Sequence, residues 1–172
     1  TLPAPVYEDW IARTGKPALL SSGMSDWVEL DAAVAALRKG GPLCVLQCSS
    51  AYPCPPERVG LNVIGEMRAR FGCAVGFSDH TLGYAAPAAA VTLGADTVEK
   101  HFTFSRAMYG SDAANSMEPG EFEVLSAMLR EIRAMRASPV DKSDTAPYRD
   151  MKRIFEKSVV SARDLAAGAA LT

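Results

Sequence analysis

With 172 residues, 48% of them hydrophobic and 22% charged, the chain is ordinary for a globular protein and long enough to bury a sizeable core in one domain. A formal net charge of −2 and a pI near 5.7, with no basic run, exclude a general attraction to nucleic acid or an anionic membrane. Apolar stretches such as YAAPAAAVTLGA are too short and too broken by Pro and Gly to span a bilayer, and TLPAPVYEDW lacks a secretion-signal layout, so the expected location is the cytoplasm.

The elements then follow in a regular order. VYEDWIARTG reads as a helix ending at Gly15. KPALLSSG (16–23) reads as a short buried strand with a polar end, and SDWVELDAAVAALRKGG (25–41) sets Val28, Leu30, Ala33, Val34 and Leu37 at helical spacing before Gly40 and Gly41. PLCVLQCSSAYP (42–53) repeats the strand. PPERVGLNVIGEMRARFG (55–72) repeats the helix, with Val63, Ile64, Met67 and Phe71 on one face and Gly72 as its stop. CAVGFSDHTLG and an Ala-rich helix over 84–94 make a third unit, and ADTVEKHFT opens a fourth. A long loop leads from it into a helix over roughly 119–136, with Ser116 as N-cap and Pro119 in the first turn. Pro139, Pro147 and mixed charges mark 139–154 as a linker, so a domain is expected over 1–138.

Strands about 25 residues apart with helices between them require parallel pairing, because the crossover helix returns each strand in the same direction. Doubly wound sheets and (β/α)8 barrels share this pattern. The strand ends SSG, CSS, SDH and EKH all carry polar groups, and several strands contributing to one site at their C-terminal ends favours the TIM (β/α)8 barrel. Four units are about half of such a barrel, which takes about 250 residues.

Four cysteines, Cys44, Cys48, Cys54 and Cys73, form no paired CxxC knuckles and read as thiols of a reducing compartment. The two histidines of the chain, His80 and His101, occupy equivalent places at the ends of successive strands. A lone strand-end histidine is commonly structural; two in matching positions, with no others in the chain, reverse that expectation.

KPALLSSGMS, CSSAYPCPPERVGLNVI, GFSDHTLGYAAPAAAVTLGADTVEKHFTF and GSDAANSMEPGEF together resemble the catalytic barrel of the sialic acid (N-acetylneuraminate) synthase family. These transferases condense phosphoenolpyruvate with an N-acylated hexosamine, such as N-acetylmannosamine, and release phosphate. The resemblance runs from about Lys16 to the end, and SDHT followed by EKHFT is its most specific part. It implies the last four β/α units of the family's barrel. FEKSVVSARDLAAGAALT (155–172) resembles the opening of the family's antifreeze-like domain, so the chain is expected to be the middle of a longer enzyme.

Carried over residue by residue, the resemblance makes His80 and His101 catalytic ligands of a divalent cation, usually Mn2+, with water and substrate completing its shell. Ser21, Ser50 and Ser78 fall where the family contacts the phosphate or carboxylate of phosphoenolpyruvate, and Tyr52 and Asp112 where it contacts the amino sugar. Serines there could equally satisfy turn backbone, and Ser50 replaces an Asn of some members. Alternation puts Glu99 on the side of His101 and Lys100 on the other, where pairing with a helix is expected. Asp79 reads either as support for His80 or as a cap of the following helix. The family's phosphoenolpyruvate-binding lysines come from its first four strands, and its full-length members are homodimers. Alternatives are another metal-dependent aldol-type sugar-phosphate enzyme, or a catalytically silent half-barrel with a binding or assembly role.

Overall fold

The computed structural model describes residues 4–169, which divide into a compact unit ending at Ser138 and a second beginning at Pro139. In the first, the helix α1 (Ala4–Arg13) precedes four βα units: β1 (Ala18–Ser21) with α2 (Trp27–Leu37), β2 (Leu43–Cys48) with α3 (Asn62–Phe71), β3 (Ala74–Asp79) with α4 (Ala85–Thr92), and β4 (Val98–Lys100) with α5 (Pro119–Ala137). All pairings are parallel and the strands lie in chain order, β1-β2-β3-β4. A doubly wound sheet reverses its strand order at a switch point; this one does not, and it has the sequential winding of half a TIM barrel.

Helix ends follow from local chemistry. Asp26 accepts hydrogen bonds from the N–H groups of Val28 (2.8 Å) and Glu29 (2.9 Å), while Glu29 accepts from the Asp26 N–H (3.1 Å), a reciprocal capping box that starts α2. Gly72, at φ +57, ends α3 with its N–H on the Arg68 carbonyl. The core lies between the helices and one sheet face, where Leu30, Val34, Ile64, Met67 and Phe71 pack on Val45, Val75 and Phe77.

Three sequence expectations shift. Val28 is 76% exposed and stands outside that core. The helix expected from Pro55 begins only at Asn62, because Pro56–Arg58 form a 3-10 turn and Gly60 takes φ +69. Glu118 rather than Ser116 occupies the N-cap of α5; the Ser116 hydroxyl instead donates to the Asp112 carbonyl (2.7 Å).

Alternation in register places Ser21, Cys48, Ser78 and Glu99 on the sheet face away from the core. That face is open at the β1 edge, where Leu19 is 62% exposed, and closes toward the middle of the sheet, where Leu46 of β2 on the same side is 1% exposed. The second unit holds a 3-10 turn (Ala146–Tyr148) and the short helix α6 (Arg149–Phe155), so the stretch read as a linker carries structure of its own. No helix among the described residues is long and apolar enough to cross a membrane.

Candidate active site at the carboxyl ends of the strands

The ladder between β3 and β4 ends at the pair Asp79 and Lys100, so the next residues, His80 and His101, leave the sheet side by side. Their rings stand edge to face with centroids 5.2 Å apart. Tyr52, from the loop after β2, leans over both, 4.2 Å from His80 and 5.6 Å from His101 between ring centroids. Burial, and then the nearby Cys48, Asp112 and Glu99, raise the Tyr52 phenol above its ordinary value, so it is a neutral donor.

His80 Nδ1 lies 3.0 Å from the Ser49 carbonyl oxygen. A carbonyl can only accept, so Nδ1 carries a proton, and in the neutral ring Nε2 keeps its lone pair. This is the tautomer of a metal-ligating histidine whose other nitrogen is held by backbone. His101 Nδ1 has the Asp112 carboxylate 3.8 Å away, bringing the long loop after β4 to the site. Two convergent imidazoles fit a cation that takes the rest of its shell from elsewhere. Among the described residues no group of three or more His, Cys, Asp or Glu is arranged to hold a metal by itself.

The hydroxyls gather beside this pair. At Gly23, just beyond β1, a Cβ atom would lie 2.5 Å from Ser50 Oγ, 3.1 Å from Cys48 Sγ and 3.7 Å from Ser21 Oγ. The absent side chain thus lets two hydroxyls and a thiol approach one point, from the ends of β1 and β2. Ser78 is buried and donates to Glu99 at 3.4 Å across the β3–β4 register. Cys48 Sγ is also 3.9 Å from His80 Nδ1, so the thiol stands between the hydroxyls and the histidines.

Every site residue read from the sequence therefore lies at a strand end or in the loop that follows it. Gly23 escaped that reading, and Cys48, read only as a thiol of a reducing compartment, proves to stand in register opposite Ser78. Lys100 is a correction. It lies on the side away from His101 as expected, yet its ammonium pairs with Asp79 of β3 (2.6 Å) rather than with a helix. Asp79 caps no helix either, since Tyr84 is the N-cap residue of α4. The four cysteines are free, and burial pushes the Cys44 and Cys54 thiols above their ordinary values.

A singly wound parallel sheet with polar side chains gathered at its strand ends has the architecture of half of a (β/α)8 barrel, a fold that carries its sites at the C-terminal face. The sequence profile of the NeuB family matches residues 7–141, and the chain belongs to that family. An uncharacterized protein of Methanocaldococcus jannaschii is 41% identical over 92% of this chain and 47% of its own length. The N,N'-diacetyllegionaminic acid synthase of Campylobacter jejuni is 34% identical over 94% and 49%, and the N-acetylneuraminate-9-phosphate synthase of Mus musculus 34% over 96% and 46%. The chain spans about half the length of these relatives. Among solved structures, the N-acetylneuraminic acid synthetase of Leptospira borgpetersenii superposes with a TM-score of 0.77 at 27% identity, covering 89% of this chain and 55% of that one.

Proposed function

We propose that this chain carries the second half of the barrel of a nonulosonic acid synthase, which condenses phosphoenolpyruvate with an N-acyl hexosamine and releases phosphate. The observation that supports this reading best is the convergence of His80 and His101 under Tyr52, with the His80 tautomer set by the Ser49 carbonyl. In it, His80 and His101 hold a divalent cation, Mn2+ by preference, which supplies Lewis acidity toward the aldehyde of the open-chain sugar.

The other residues bind and orient. Ser21 and Ser50, converging over Gly23, donate to oxygens of phosphoenolpyruvate, where hydrogen bonds to charged acceptors are the strong ones. Ser78, tied to Glu99, completes the row of hydroxyls along the strand ends. Asp112 accepts from sugar hydroxyls while facing His101, and Tyr52 packs against the sugar. In the net reaction C3 of phosphoenolpyruvate bonds to the aldehyde carbon, water oxygen adds to C2, and the C2–O bond to phosphate breaks. In the intact protein, residues 139–154 join this barrel to an antifreeze-like domain opening at 155, and two subunits pair.

The test is phosphate release by the intact protein with Mn2+. Release requiring both phosphoenolpyruvate and N-acetylmannosamine is expected, with loss of turnover in His80→Ala and in His101→Ala. Near-normal activity in either variant would remove the metal assignment. Release only with other N-acyl hexosamines would move the product toward legionaminic or pseudaminic acid.

A further inference from the structure

Directly behind the two histidines, on the helix side of the sheet, Lys100 and Asp79 form an ion pair whose side chains are 2% and 0% exposed. All of its bonds fall on the residues that flank the histidines. The Lys100 ammonium, one residue before His101, donates both to the Asp79 carboxylate (2.6 Å) and to the Thr81 carbonyl, the residues on either side of His80. Asp79 in turn accepts from the Thr81 N–H (2.9 Å) and the Thr81 hydroxyl (3.2 Å). Four hydrogen bonds thus enclose His80 and anchor it to the residue preceding His101.

A buried ion pair is a poor source of stability, because its desolvation cost commonly matches or exceeds its attraction; its best-attested role is fixing register. Here register is what needs fixing. The strand β4 is only three residues long, and the β3–β4 ladder ends at Asp79 and Lys100 themselves, so no further rung sets His80 against His101. The outer carbonyls are held separately, His80 by the Cys54 N–H and His101 by the Met117 N–H, both at 2.8 Å, which ties each residue to a loop and not to the other.

We infer that Asp79 and Lys100 are positioning residues: their buried ion pair, closed over Thr81, sets the mutual placement of the His80 and His101 imidazoles for a shared divalent cation. This rests on the reading of the two histidines as cation ligands. Neither Asp79 nor Lys100 touches the open face, so they act only through the histidines.

The test uses Asp79→Asn/Lys100→Met in the intact protein. The double change removes both charges together, avoiding an orphaned one, and the amide oxygen that replaces the carboxylate can still accept from the Thr81 N–H. Two quantities are read beside the melting temperature: the ring 15N signals of His80 in metal-free protein, and the Mn2+ dissociation constant by calorimetry. Wild-type protein is expected to show the single Nδ1–H tautomer. The variant is expected to fold, to show averaged His80 ring signals, and to bind Mn2+ about tenfold more weakly, the low end of what losing support behind a ligand costs. A folded variant that keeps either the wild-type ring signals or a dissociation constant within about threefold of wild type overturns the inference. Should the double variant fail to fold, Lys100→Arg decides on the same readings, since it keeps the charge but replaces the compact ammonium with a planar fork. His101→Ala is the control: if it leaves Mn2+ binding unchanged, the cation reading fails, and the ring signals alone decide whether the ion pair positions His80.

Discussion

Gly23 shows how much of the site depends on one missing atom. Its φ lies outside the left-handed region, so alanine is tolerated by the backbone, yet the new Cβ would stand 2.5 Å from Ser50 Oγ. A serine hydroxyl can rotate away, and the conflict is therefore settled at the cost of binding rather than folding. Under the proposed function, Gly23→Ala in the intact protein is expected to leave the melting temperature unchanged and to raise the KM for phosphoenolpyruvate by about tenfold, the loss of one charge-assisted hydrogen bond; steady-state kinetics beside a thermal melt would check it. His101→Ala, removing a partly exposed ring whose nearest charged partner is 3.8 Å away, is expected to cost little stability while weakening Mn2+ binding at least tenfold by calorimetry. That the two histidines would stand together was legible because two residues of a rare type recur at matching strand ends. Gly23, Cys48 and the partner of Lys100 were not, because alternation tells which side a residue takes and nothing about which atom it meets across the sheet.

The strands and helices were legible as far as periodicity reaches. Four apolar runs ending in polar residues give the four strands, and Ile64, Met67 and Phe71 are buried as their spacing predicts. The start of α3 was not, since Pro55, Pro56 and Gly60 interrupt a segment whose composition is otherwise helical. Two expectations belong to this scale. A Cβ at Gly76 of β3 would lie 2.7 Å from the Thr97 carbonyl oxygen and would also meet Leu46, and backbone cannot rotate aside. Gly76→Ala should therefore lose about 1–3 kcal/mol, measured by urea unfolding. Asp96, before β4, ties the sheet to α3 by accepting from Arg68 (2.8 Å) and the Val75 N–H (3.0 Å). Burial raises its carboxyl, but the Arg68 and Val75 hydrogen bonds together outweigh this and hold it below the usual range. A depressed acid stabilises fully above its unfolded value of about 3.9 and loses that contribution as pH falls through the folded value. The melting-temperature gap between wild type and Asp96→Asn should thus be widest near neutrality and close as pH drops below about 4.

At the scale of the molecule, β1 and β4 each lack a second strand neighbour among the described residues, and Leu19 of β1 is left 62% exposed. Unpaired edges and an exposed apolar side chain beside one of them drive association. The 172-residue polypeptide expressed by itself should sediment as a dimer or larger species, and a monomer of 18.3 kDa over the micromolar range would contradict this. The parity of the strands carries a further consequence. Because His80 and His101 emerge one rung beyond a shared register pair, the frame of each strand decides whether imidazole or its neighbour meets the open face. An indel of one residue inside β3 would turn His80 toward the helices and present Asp79 or Thr81 in its place, whereas indels in the loop between His101 and α5 leave that frame intact. Length variation in homologous chains should accordingly collect in the βα loops, where substrate choice can drift, and spare the few strand residues that keep the two rings in phase.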